Sequence, residues 1–165
     1  MKLELCAGSI EAIKIAKEFQ FDRVELCHNL EQGGVTPSPG LIDYSLAFGL
    51  ETHVLVRPRA GGFCYNEDEL EIILRDILEC KALGVHGVVV GALNDYNDID
   101  EAALEQILQK AGGIDVTFHR AFDDTQDFKK SIDTLIKLGV TRVLSSGLGS
   151  NVDLGMNNLR EMVEY

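Results

Sequence analysis

Basic residues are scarce in this chain of 165 residues: 15 Lys and Arg stand against 27 Asp and Glu, a formal net charge of -12. No block of five like charges occurs, so the acidic excess is spread over the surface. Phosphate backbones and anionic membrane surfaces both call for clustered Lys and Arg, so neither nucleic acid nor membrane is expected as a partner. No apolar run approaches the roughly 20 residues that span a bilayer. Glu4, Ser9, Glu11 and Lys14 interrupt the stretch where a signal peptide would place its apolar core. A cytoplasmic location is therefore expected, with Cys6, Cys27, Cys64 and Cys80 reduced. None of the four forms a C-x-x-C pair, which argues against a zinc ribbon or a thioredoxin-like motif. The chain also lacks G-x-G-x-x-G after its first strand, H-E-x-x-H and G-x-S-x-G, which weighs against dinucleotide binding, zinc hydrolysis and a serine nucleophile elbow.

What the chain does contain is a regular alternation. Hydrophobic content of 45% and charged content of 25% are those of an ordinary globular protein, and no linker interrupts residues 1–165, which read as a single domain. Apolar or alternating runs predict strands at Lys2–Cys6, Arg23–Cys27, Thr52–Arg57, Gly87–Gly91, Asp115–His119 and Arg142–Ser146. Helical spacing predicts helices near Ser9–Glu18, Ser38–Phe48, Glu67–Leu83, Glu101–Lys110, Phe128–Leu138 and Val152–Val163, with Ser9 and Ser38-Pro39 as starts and Gly84 and Gly139 as stops. Strict strand–helix alternation implies parallel strands joined by crossover helices. A doubly wound sheet would have nearly all-apolar strands, whereas four of these carry polar residues on one face: Glu4/Cys6, Glu25/Cys27, His53/Arg57 and Thr117/His119. One polar face converging on the strand C-termini suits a barrel interior, so a TIM-barrel-like α/β fold is expected, incomplete because six βα units are visible where eight close a barrel. The open edges of the first and sixth strands then predict a homo-oligomer or another covering partner.

Leu3-Glu4-Leu5-Cys6 returns as Val24-Glu25-Leu26-Cys27, which places two thiols and two carboxylates on one face if the strands are neighbours. Two thiolates suit Cu(I); two small buried hydrophobes and a reversible disulfide remain alternatives. His119 ends the fifth strand, where a barrel places acid–base groups, and Glu25 is a second candidate for that role. Arg57-Pro58-Arg59-Ala60-Gly61-Gly62 is a loop suited to an anion, with Arg59 further out; Arg57 could instead neutralise Glu4 and Glu25 inside the barrel. Ser146 opens a Gly-rich loop that could contact an oxyanion or a phosphate. His28 is expected on the surface, and His53 and His86, at strand starts, receive no role.

These stretches, with Gly33-Gly34-Val35-Thr36-Pro37-Ser38, Arg57 to Tyr65, Val116 to Asp123 and Arg142 to Gly147, resemble in order the copper homeostasis protein CutC family. The resemblance covers essentially all 165 residues and implies a TIM-type barrel and a cytoplasmic protein linked to copper handling. It places the family's Cu(I)-binding cysteines on Cys6 and Cys27. Family members continue through two more βα units, so this chain is C-terminally short by comparison. The alternative from the residues themselves is an enzyme acting on a small anionic metabolite, with Arg57, Arg59 and Ser146 as binding groups and Glu25 and His119 as acid–base groups.

Overall fold

A computed structural model describes residues 1–165. Six strands, β1 (Glu4–Ala7), β2 (Arg23–Leu26), β3 (Thr52–Leu55), β4 (Gly87–Val90), β5 (Asp115–Phe118) and β6 (Arg142–Val143), lie side by side in chain order and all run parallel. The helices α1 (Ile10–Glu18), α2 (Pro39–Ala47), α3 (Glu67–Leu83), α4 (Glu101–Ala111), α5 (Phe128–Leu138) and α6 (Val152–Glu164) alternate with them. Short 3₁₀ turns at Leu30–Gln32 and Arg120–Asp124 follow β2 and β5. Sequential order without a reversal excludes a doubly wound sheet, whose strand order switches direction. The sheet curls into part of a barrel: Arg142 on β6 reaches across the concave side to His53 on β3, its Nη2 lying 3.2 Å from Nδ1.

Period-two alternation divides the strand side chains. Val24, Leu26, Val54, Val88, Val90, Val116 and Phe118 face outward into the core beneath the helices, where they meet Ile13, Ile73, Ile77, Leu104, Ile107 and Phe122. The opposite positions face inward and are polar except for a small apolar cluster of Cys27, Leu55 and Val89. Helix limits follow local chemistry. Asn66 accepts from Glu69 N–H while the Glu69 carboxylate accepts from Asn66 N–H, closing a capping box on α3. Gly84 and Gly139, at φ +86° and +83°, end α3 and α5 in the left-handed conformation that a side chain disfavours.

The start of α6 rests directly on the loop after β6. A Cβ on Gly155 would overlap the Ser146 carbonyl oxygen, and both groups are backbone, so neither can rotate away. Gly155→Ala is expected to cost about 1–3 kcal/mol through overpacking. Gly40→Ala, in α2 with nothing within 4 Å of the added methyl, should be neutral or stabilising by up to about 1 kcal/mol. Urea unfolding of the two variants checks this contrast; equal stabilities would mean that α6 can slide off the loop at no cost.

Candidate functional site

The repeat in β1 and β2 does not pair level with itself. The register sets Glu4 beside Arg23 and Cys6 beside Glu25, two residues out of step with the repeat. Such stagger is what barrel curvature demands of adjacent tilted strands. Glu4 consequently pairs with Arg23, which also approaches Glu51 at 3.7 Å. From Glu51 the contacts continue to the His53 ring, Nε2 at 3.4 Å, and through Arg142, which pairs with Asp115 at 2.8 Å. This polar chain, two sets of ion pairs joined by His53, gathers five of the six strands toward their N-terminal ends. Burial, with Arg142 and Arg23 close by, pushes His53 down to about 4, so it is neutral near pH 7.

Toward the strand C-termini the concave side opens into a cavity of about 380 Å³, lined among others by Cys6, Glu25, Arg57, Phe63, His119 and Arg120. A wider hollow of about 580 Å³ lies outside the sheet between Asp95–Asp98 and Gln126–Lys130. It is shallow and polar, with Tyr96 its one apolar wall, and none of the groups singled out above reaches it. The inner cavity is therefore the candidate site.

Cys6 Sγ and Cys27 Sγ lie 3.8 Å apart; Cys27 is buried while Cys6 is exposed to the cavity. That distance is well beyond the S–S bond of about 2.05 Å, so the thiols are in contact and unbonded. Sharing a hydrogen bond splits their acidities. Cys27 is lowered by the bond from Cys6, whereas Cys6 is raised by that same bond, by burial and by the neighbouring Glu25. The shared bond thus favours a thiolate on Cys27 and a thiol on Cys6.

Glu25 is 7% exposed and its carboxylate takes part in no hydrogen bond or ion pair, since Arg23 turns to Glu4 and Glu51. Burial foremost, then the charge of Glu4, pushes Glu25 up to about 7, against the opposing pull of Arg23. His119, 5% exposed, accepts the Ala121 N–H at its Nδ1 (3.1 Å), while its buried Nε2 has no partner. Its ring packs against Phe63 at 4.9 Å between centroids, and a Cβ on Gly91 would overlap it. Burial, then Arg57, pushes His119 down to about 3.

Arg57 does not neutralise Glu4 or Glu25. It is buried and donates to the carbonyls of Gly34 (2.9 Å), Gln32 (3.3 Å) and Gly61, stacked over Phe63 at 4.8 Å. The loops after β2 and β3 are thereby tied together, because their carbonyls meet the guanidinium before any carboxylate does. Only Arg57 Nε is left without a partner. Arg59 does not line the cavity: it forks onto the Glu69 carboxylate and donates to the carbonyls of Gly62 and Cys64. Ser146 is buried and engaged with Asp123, Gly149 O and Arg120. Asp123, which received no role from its sequence position, is the hub of this loop. It accepts from the Ser145 hydroxyl at 2.6 Å, from the backbone of Ser146 and Leu148, and from Arg120. Burial opposes its ionisation, and these donors together hold it below the usual carboxylate range. Arg120 is the lining residue that the strand pattern did not single out; its place directly after His119 at a strand end was the available signal. His28 is exposed, as its loop position suggested.

The CutC family model matches residues 1–165. The chain belongs to the CutC family. A CutC family protein of Pasteurella multocida is 43% identical over 99% of this chain and 67% of its own length. Its counterpart in Agrobacterium fabrum is 38% identical over 99% and 65%. This CutC chain thus spans about two thirds of the length of the curated relatives it matches. A crystal structure from Streptococcus agalactiae, named as a copper homeostasis protein CutC, superposes with a TM-score of 0.94 at 38% identity, over all of this chain and 83% of its own. An archaeal fructose 1,6-bisphosphate aldolase matches with a TM-score of 0.61 at 16% identity over 92% of this chain and 60% of its own, which shows the TIM-barrel-like fold alone.

Proposed function

We propose that this CutC-family chain takes up Cu(I) as cargo in the cytoplasm, through the thiolates of Cys6 and Cys27. The observation that carries the reading is the 3.8 Å separation of the two sulfurs, one buried and one open to the cavity. No group of three His, Cys, Asp or Glu side chains converges as a metal site. A two-sulfur donor set suits a soft ion content with few ligands, and suits Zn²⁺ or a hard cation poorly. Uptake must displace thiol protons, so affinity should rise with pH. An anaerobic Cu(I) titration against a competing chelator tests the reading. One ion per chain is expected, with affinity falling at least 100-fold in Cys27→Ser or Cys6→Ser and unchanged in Cys64→Ser, which alters an exposed thiol outside the cavity. Equal affinity across all four proteins would reduce the pair to packing residues.

A second reading is supported by a different observation in the same cavity: Glu25 without a partner and His119 with a free buried Nε2. Those groups suit acid–base chemistry on a small anionic metabolite.

A further inference from the structure

Resting on that acid–base reading, we infer that the cavity is a proton-transfer site for small carbonyl compounds carrying one carboxylate or phosphate. Glu25 would remove a proton from the carbon beside the carbonyl, His119 Nε2–H would hold the carbonyl oxygen, and Arg120 would receive the anionic group.

The imidazole is built as a donor. The Ala121 N–H occupies Nδ1, which assigns the proton of the neutral ring to Nε2. That N–H is buried and unpartnered, and buried donors are seldom left so without a ligand to meet them. Phe63 on one side and the bare Cα of Gly91 on the other fix the ring, so little reorganisation is needed when charge develops on a bound oxygen. Because burial keeps the ring neutral, it polarises a carbonyl without first losing a proton. A neutral imidazole donor set against a carboxylate base is an arrangement known to promote enolisation.

The carboxylate is built as a base. A structural Glu at this depth would be paired, yet Glu25 is passed over by the nearest arginine. The titratable and charged groups around it are Glu4 and Cys6 on β1, Arg23 and Cys27 along its own strand, and His53 beside it on β3. Leu30, Leu55, Phe63 and Leu144 line the same cavity and supply its apolar wall. At the rim, Arg120 is oriented by Asp123 at 2.9 Å and Ser146 at 2.8 Å, and its Nη1 is left without a hydrogen bond. A planar, half-tethered guanidinium of this kind suits a carboxylate or phosphate.

The step balances without a further reagent. The C–H electron pair becomes the C=C bond of an enolate as Glu25 takes the proton, and the carbonyl π pair moves onto oxygen, which accepts from His119 Nε2–H. Glu25 then returns a proton to carbon. In D₂O the returned proton is a deuteron once the carboxyl has exchanged with solvent.

The test incubates the full chain in D₂O with dihydroxyacetone phosphate and, separately, with pyruvate, and follows loss of the α C–H signal by proton NMR. Exchange should proceed at least 100-fold faster than with Glu25→Gln. Arg120→Ala should raise KM with little change in kcat, and His119→Gln should lower kcat. Glu25→Gln is isosteric and removes a buried charge, so it should fold; Glu25→Asp, which keeps the charge and withdraws it from the carbon, should be slow as well. Thermal shift with the same two probes separates the ways to fail. Binding that Arg120→Ala abolishes, without exchange, would overturn proton abstraction and leave a metabolite site. Neither binding nor exchange would overturn the acid–base reading too. Exchange undiminished in Glu25→Gln would remove Glu25 as the base.

Discussion

Acidification from pH 7 to pH 4 is expected to take roughly 3 kcal/mol of stability through each of His53 and His119, at about 1.4 kcal/mol per pKa unit. The sign follows from where the protons go. Both rings are buried and neutral in the fold, with His53 held down to about 4 and His119 to about 3. In the unfolded chain each titrates near 6.5, so below that pH the unfolded state binds protons that the folded state refuses. The stabilisation is complete above pH 6.5 and is lost as the pH falls toward the folded values. Two such losses are a large share of the roughly 5–15 kcal/mol that holds a domain together. Urea unfolding at pH 7, 5.5 and 4.5 measures the slope, and a His53→Gln, His119→Gln double variant should flatten it. A slope equally steep in the double variant would assign the acid sensitivity to the carboxylates, of which Asp123 and Asp115 are held low by their partners.

The two histidines also mark how far the sequence could be read. The helices Glu67–Leu83 and Phe128–Leu138 match their expected limits because Asn66, Glu69, Gly84 and Gly139 announce the ends chemically. Several strands were expected to run one to three residues further at their C-terminal ends. Alternation continues through Arg57, His119 and Ser146, yet strand pairing ends at Leu55, Phe118 and Val143 and the chain turns into the loops that form the cavity rim. The polar inner face was legible from alternation alone. Its pairing was not, because a repeat in sequence implies equivalent levels while barrel stagger shifts β2 by two residues. That shift decides the chemistry. It sends Arg23 to Glu4, leaves Glu25 alone beside Cys6, and frees Arg57 to staple two loops. Competition between backbone carbonyls and carboxylates for a guanidinium is a matter of a few ångströms, which spacing along a chain does not resolve. His53 drew no role as a strand-start residue, and only the reach of Arg142 across the curl shows it as the buried neutral link between two sets of ion pairs.

Glu25→Gln is expected to stabilise the fold by about 3 kcal/mol at pH 8 and to leave it unchanged at pH 4. The native carboxyl is pushed up to about 7, chiefly by burial, against roughly 4.5 when unfolded. A raised acid stabilises the fold below its unfolded value, and that contribution is lost as the pH rises through the folded one. Above pH 7 the chain therefore carries an unpaired buried charge that an isosteric amide would avoid. The effect runs opposite to that of the histidines, so the variant should also show the steeper loss on acidification, and urea unfolding at pH 4, 6 and 8 reads both. A difference that stays constant with pH would mean that Glu25 does not titrate near neutrality, and the cavity would lose its base. Copper uptake gives no reason for keeping this residue, because the Glu25 charge raises Cys6 and so opposes a second thiolate. Glu25→Gln should accordingly tighten Cu(I) binding at pH 8. Under the acid–base proposal, a carboxylate that weakens the fold above pH 7 is kept because its proton is used, and groups held at such a cost collect where chemistry is done.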